Sequence, residues 1–223
     1  MLSYRSPPPL SVRACRPLID LRCNHQQRYT GVGHSCNPLI GYSGVVNIPE
    51  NVPPHARLVI EAANSYDVED ATDAWETPAA LVRWLSDHDA PDNRSSGSGR
   101  VTTQEHEAAV KLRDALRTAI LDRGSPEFGK LAKPFPVQVG FEGGAPVLVP
   151  ASDSVIGGVA RILAAAAQSA FDGSWERIKI CPADDCRVAF YDESRNRSRA
   201  WCSMQVCGNR TKTRSYRARH PQG

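Results

Sequence analysis

Cys181-Pro-Ala-Asp-Asp-Cys186, fifteen further residues, then Cys202-Ser-Met-Gln-Val-Cys207-Gly-Asn-Arg210: this stretch decides how the C-terminal end of the chain folds. Two cysteine pairs, each with four residues between its members, bracket the fifteen-residue segment. Zinc takes four thiolates in a tetrahedron, and a site closed by four protein ligands is structural, with no open position for a reacting water. Each pair folds a tight turn around one edge of the metal, and the intervening chain closes the loop. A segment of about 45 residues with few large apolar side chains also needs such a staple to hold a fold. Zn2+ on Cys181, Cys186, Cys202 and Cys207 is therefore the expected cofactor. Spacing alone leaves open an iron–sulfur cluster on the same sulfurs, two disulfides or four free thiols. A zinc base deaminase is excluded, because that chemistry needs H-x-E with P-C-x-x-C. Here Pro182 follows its cysteine, the pair spacing is wider and no H-x-E occurs.

Working outward, Val188 and Phe190 alternate as in a short strand, and Asp192 to Asn196 is rich in turn formers. After Cys207 the chain runs to His220 without proline, which predicts a helix starting at or near Cys207. On that helix Cys207, Arg210, Arg214 and Arg217 share one face. A knuckle, a hairpin and a helix carrying the last ligands is the order of a treble-clef finger. Arg195, Arg197, Arg199, Arg210, Lys212, Arg214, Arg217 and Arg219 are the candidate nucleic-acid contacts. Trp201 and Tyr216 are expected to pack around the metal rather than stack on bases. Asn209 is expected to cap the helix rather than read a base.

The run Cys202 to Arg210, followed by Lys212, Tyr216, Arg217 and Arg219, resembles the CGNR zinc finger. Cys181, Cys186, Phe190, Asp192, Ser194, Asn196, Arg199 and Trp201 fit the same pattern. The region from about Arg57 to Ala170 resembles, more loosely, the ABATE domain that usually precedes this finger. Glu61-Ala-Ala-Asn64-Ser65 stands where that family often has an Asp-Leu-Val-Asn-Thr-like run. The resemblance implies a stress-induced bacterial transcription regulator with zinc on the four cysteines.

The rest of the chain is expected to be mainly α with a small β-hairpin: a helical N-terminal domain ahead of a C-terminal treble-clef-like zinc finger. Residues 1–54 contain Pro7-Pro8-Pro9 and no sustained period, and are expected to be a disordered extension. An alternative is that translation of the natural protein begins further downstream. Cys15, Cys23 and Cys36 lie here with irregular spacing, and with His25 and His34 they make only a weak metal site. Residues 55–173 form the ABATE-like domain and residues 176–220 the finger.

Within the body, Arg57 to Asn64 reads as a strand or a first helical turn. Thr77-Pro78 starts a short helix ending near His88. Residues 91–99 are a loop. Thr102 with Glu105 makes a capping box for a helix over 103–123 that Gly124 ends. Lys111, Arg113 and Arg117 are expected on its wet side. Apolar runs around Gly143-Gly144 predict a hairpin. A last helix over 154–171 carries Val155, Val159, Ile162, Leu163, Ala166 and Ala170 inward, and Gly173 ends it.

The chain's formal charge of +3 hides an asymmetry: residues 176–223 carry a net +6 and the remainder −3. A basic end on a near-neutral body suits a polyanionic partner. No run approaches the roughly 18 apolar residues of a membrane span, and no secretory segment opens the chain. A cytoplasmic protein with no membrane partner is expected. DNA binding for transcriptional regulation is the leading function, and a homodimer would suit DNA half-sites. The alternative is a zinc-stabilised protein-interaction module, with the arginines engaged by Asp184, Asp185, Asp192 and Glu193. Catalysis is not expected, since the body shows no nucleophile elbow, phosphate loop or paired carboxylates. Glu61, Asn64, Asp67, Glu69 and Asp70 read as an exposed acidic loop rather than a ligand pocket. No ligand of the helical body is identifiable.

Overall fold

Pro54 sets where the first helix begins, since its fixed φ suits a first helical position whose N–H would be unpaired anyway. A computed structural model describes residues 48–88 and 101–220. Cys15, Cys23, Cys36, His25, His34 and the loop expected at 91–99 lie outside these residues. Helix α1 spans Pro54–Ala63, so the run beginning at Arg57 is helical throughout rather than a strand. Ala56, Val59, Ile60 and Ala63 recur at helical spacing and are buried.

A two-residue strand pair follows, β1 (Tyr66–Asp67) with β2 (Thr72–Asp73). Helix α2 covers Pro78–Asp87, and the Thr77 hydroxyl accepts the Ala80 N–H as expected. Trp84 on α2 meets Trp75 edge to face at 5.2 Å, a favoured aromatic geometry. Helix α3 covers Thr103–Leu121 with the Thr102–Glu105 capping box formed. It ends two residues short of the expected Arg123. The short helix α4 (Glu127–Leu131) was not foreseen, because five residues carry no readable period.

Strands β3 (Val137–Glu142) and β4 (Ala145–Pro150) pair through a two-residue turn. Gly143 and Gly144 both have positive φ, the conformation that tight hairpin turn requires. Helix α5 covers Val155–Phe171. It is buried over a broader face than its apolar stripe implied: Gly157, Ala160, Ala164, Ala165 and Ser169 are inside, while Ala170 is exposed. Gly157 is obligatory, since a Cβ there would lie 1.7 Å from the Ser152 carbonyl oxygen. A single 3-10 turn at Trp175–Arg177 leads into β5 (Ile178–Ile180), antiparallel to β6 (Ala189–Tyr191).

The main core is built by α1, α2, α3 and α5, and it does not stop at the cysteine module. Ile178, Ile180 and Ala189 belong to the same buried cluster as Ile60, Leu116 and Val159. Each fully buried Val, Leu or Ile contributes roughly 1.5–3 kcal/mol, so the body and the module share stability. No helix among the described residues is long and apolar enough to cross a membrane.

The expectation that Arg113 and Arg117 face water is wrong. Arg113 is 4% exposed and makes a two-pronged contact with Asp73, at 2.5 Å and 3.0 Å. Its guanidinium also lies 5.3 Å from the Trp75 ring centre and 5.5 Å from that of Tyr66. Arg117 is partly buried and donates to the carbonyls of Ala63, Tyr66 and Arg187. Only Lys111 stays exposed, 3.9 Å from Glu107 one turn away. Position 113 follows Ala109 by four and precedes Leu116 by three, which puts it on the buried face despite its charge.

Candidate metal centre and basic surface

The alternation of β5 and β6 sorts their side chains. Ile178, Ile180 and Ala189 turn to the helical body, while Phe190, 1% exposed, turns to the cysteines. The loop between these strands carries the first pair. Cys181 N–H donates to the Val188 carbonyl at 2.8 Å. Cys186 and Arg187 N–H both donate to the Ala183 carbonyl, at 3.0 and 3.1 Å. Arg187 takes a positive φ of 53°, a turn that closes the knuckle. The strand pair thus encloses the first cysteine pair as a knuckle.

The second pair is presented by a wide helical turn, Met204–Gly208, that runs into α6 (Asn209–Arg219). Its cap is Ser203, whose side chain accepts the Val206 N–H, and not Asn209. Gly208 lies close beneath Met204 and Trp201: a Cβ would sit 2.4 Å from Met204 Sδ, which would have to swing aside, and 3.4 Å from the Trp201 ring. Trp201 packs on the cysteine cluster as expected. Tyr216 does not; it is 61% exposed, with His220 edge-on at 4.6 Å.

The four sulfurs converge, all within 4.8 Å of one another. Cys186 and Cys202 Sγ are 3.5 Å apart, Cys202 and Cys207 Sγ 3.6 Å. A tetrahedron with zinc–sulfur bonds of about 2.3 Å has edges of about 3.8 Å, so this donor set fits the ion. Cys181, Cys186 and Cys207 are buried and Cys202 nearly so. Without a cation such crowding disfavours thiolates. Burial pushes the Cys186 thiol up to about 12, the Cys181 charge adding to it. Burial also drives the Cys202 thiol well above the ordinary range. At Cys181 burial acts in the same direction, but hydrogen bonds from the Cys202 and Ala183 backbone hold the thiol below its ordinary value. Zn2+ would supply the missing positive charge.

Residues 192–202 are held by a network that sequence reasoning missed. Asp192 is fully buried and accepts from Lys179 Nζ at 2.6 Å, Arg199 N at 3.0 Å and Ser194 N at 2.9 Å. Burial alone would raise its pKa; the Lys179 and Ser194 hydrogen bonds outweigh it and bring the carboxyl to about 2. Lys179 also donates to the carbonyls of Arg197 and Arg199. Arg177 donates to those of Asp192 and Ser194. The readable signal was Asp192-x-Ser194, a side chain capping the backbone two residues on.

The eight candidate nucleic-acid residues divide. Arg199 is internal: it donates to the Trp201 and Cys202 carbonyls and lies 5.0 Å from the Phe190 ring centre. Arg210 and Arg214 are tied to Asp185 at 3.3 and 3.0 Å. Arg210 also reaches Glu69 at 3.4 Å and Cys207 Sγ at 3.7 Å. Burial works against ionisation of Asp185, yet the Arg214 hydrogen bond and the Arg210 charge hold it below the usual carboxylate range. Asp184 pairs with Arg187 instead. Arg219 donates to the Ser215 carbonyl within its own helix. Arg195, Arg197, Lys212 and Arg217 are exposed, and their side chains meet no acidic group among the described residues.

Asn64 is no part of an acidic ligand loop. Its amide donates to the Ala189 carbonyl at 2.9 Å and its oxygen accepts the Ala189 N–H at 2.7 Å, so it acts as one rung of a strand beside β6. Arg123 adds hydrogen bonds to the Trp175 and Ile178 carbonyls. No curated protein matches the chain. Its C-terminal segment does match a family model: residues 177–220, the whole of the structure around the four sulfurs, fit the CGNR zinc finger.

Proposed function

We propose that the chain is a non-catalytic, zinc-stabilised DNA-binding protein acting in transcriptional regulation, with an ABATE-like helical body and a CGNR finger. The observation that carries this reading is helix α6. Its eleven residues bury nothing, and they include Arg210, Lys212, Arg214, Arg217 and Arg219 with no acidic residue. An isolated helix of that length is marginal in water, and this one is held by its root at the cysteines and by Arg210 and Arg214 on Asp185, which leaves its other cations for a partner. A helix rooted at a metal centre and lined with cations suits the phosphate backbone, with arginine available for guanine edges in the major groove.

Of the eight candidate contacts, Arg195, Arg197, Lys212, Arg217 and Arg219 are best disposed for this role. Arg210 and Arg214 position the helix against Asp185, and Arg199 braces the loop. The protein-interaction reading keeps one argument: Asp185 does engage two of the arginines, as that alternative required.

The test is a titration of the full chain against random duplex DNA, single-stranded DNA and heparin at two salt concentrations. Several phosphate contacts give a log–log salt slope of several times about −0.9 for duplex. The double variant Lys212→Glu, Arg217→Glu is expected to weaken duplex binding at least tenfold and to flatten the slope. Salt-insensitive binding, or none at low salt, removes the DNA reading.

A further inference from the structure

Where the helical body meets the knuckle, the surface forms a cleft of about 450 Å³. Its walls are Tyr66 and Val68 on one side, Arg117 and Leu121 of α3 on another, and Ile180 and Arg187 of the cysteine module on the third. Its charges are paired unevenly, with the carboxylates at the back or toward solvent and the guanidinium groups of Arg117 and Arg187 on the walls. Arg113, at the back, is neutralised by Asp73. Asp114 sits 3.2 Å from Arg113 Nε and faces solvent. Among the described residues Arg187 pairs with the highly exposed Asp184. Arg117 has no carboxylate within ion-pair distance among the described residues, and it donates to the carbonyls of Ala63, Tyr66 and Arg187. Carbonyls satisfy N–H groups but supply no counter-charge, so this partly buried guanidinium has no carboxylate in direct contact and feels Asp114 only at longer range. Burial and the Arg113 charge pull the Arg117 pKa below its ordinary value, against the opposing pull of the Asp114 carboxylate. Beside these cations Leu121 is 50% exposed, a large apolar side chain partly open to solvent.

We propose that this cleft binds a small organic anion: a carboxylate on a short apolar chain, the carboxylate against Arg117 and Arg187, the chain along Val68, Leu121 and Ile180. Its volume lies within the roughly 300–1,000 Å³ of ordinary small-molecule sites, which combine apolar walls with a few convergent polar groups. Ile180 immediately precedes Cys181 and Arg187 immediately follows Cys186. An anion seated here therefore bridges α3 to the metal knuckle and tightens the seam between them. The site is independent of the nucleic-acid reading and is measured without nucleic acid.

The experiment is thermal melting of the full chain, purified with zinc present, at fixed ionic strength, with hexanoate, hexanol and inorganic phosphate as probes. Hexanoate is expected to raise Tm saturably, by roughly 3–5 °C at about ten times its Kd. Hexanol and phosphate, each lacking half of the ligand, are expected to give less than a third of that shift. Leu121→Glu places a competing carboxylate on the wall, and should keep or raise the ligand-free Tm while abolishing the hexanoate shift. If that variant does not fold, Thr118→Glu, one turn earlier on the same exposed wall, serves instead. Three results overturn the proposal: no saturable shift up to about 100 mM hexanoate, a phosphate shift equal to that of hexanoate, or a shift undiminished in the folded variant.

Discussion

Helices α3 and α6 both carry a series of arginines, and they use them in opposite ways. On α3, Arg113 and Arg117 turn inward, where Asp73 and three backbone carbonyls receive them. Beyond its end Arg123 does the same for the Trp175 and Ile178 carbonyls. On α6 no residue is buried, and Lys212 and Arg217 point into solvent. The difference lies in neighbours rather than in the side chain. Beside α3 the chain leaves orphan acceptors at the end of α1 and along β5 and β6, and a guanidinium with five donors can satisfy several at once. Among the described residues α6 meets instead the carboxylates of Asp185 and Glu69 near its first turns. An inward arginine is part of the fold, and an outward one is free for a partner.

That contrast can be broken most severely at the metal. Chelation at neutral pH is expected to remove the ordered structure of the module and of α6 while leaving α3 largely helical. Structural zinc is worth about 10 kcal/mol or more in small fingers. Far-UV circular dichroism and zinc release measured together check this. Zinc affinity should fall as pH is lowered, because the thiols must lose protons to bind, and Cys186, raised to about 12, holds its proton tightly.

The next effect tests the inward arginines. Arg113→Met leaves Asp73 without its buried partner and is expected to cost about 3–5 kcal/mol in chemical denaturation. The same substitution at Arg217 should stay within about 0.5 kcal/mol. Equal costs would erase the distinction between the helices. A smaller effect is expected at Asp192→Asn, which keeps the shape but removes the charge facing Lys179. It should lower stability by about 2 kcal/mol and loosen residues 192–202, seen as faster amide exchange at Arg199.

Much of this was legible in the chain itself. The cysteine spacing located the four-sulfur cluster because side chains that converge on one point from two tight turns impose a short-range pattern. The helices around Leu116 and Val159 announced themselves through their period, and Gly143-Gly144 through its turn. What could not be read had its partner far away. Asp73 lies forty residues before Arg113, and Asn64 lies 125 before Ala189. A charged residue at a buried helical position looks like a solvated one until its counter-ion is located. Asp185 was visible only as one of two adjacent acids, and nothing local says which of them turns to α6.

The amide of Asn64 and the apolar trio Ile178, Ile180 and Ala189 carry a practical consequence. The segment that bears the four sulfurs is stitched into its neighbour rather than tethered to it. Excised as a fragment starting near Arg177, it would present three greasy side chains and one bare strand edge to water, an invitation to self-association. Its solubility, and the reading of any experiment done on it alone, would reflect the cut surface as much as the finger.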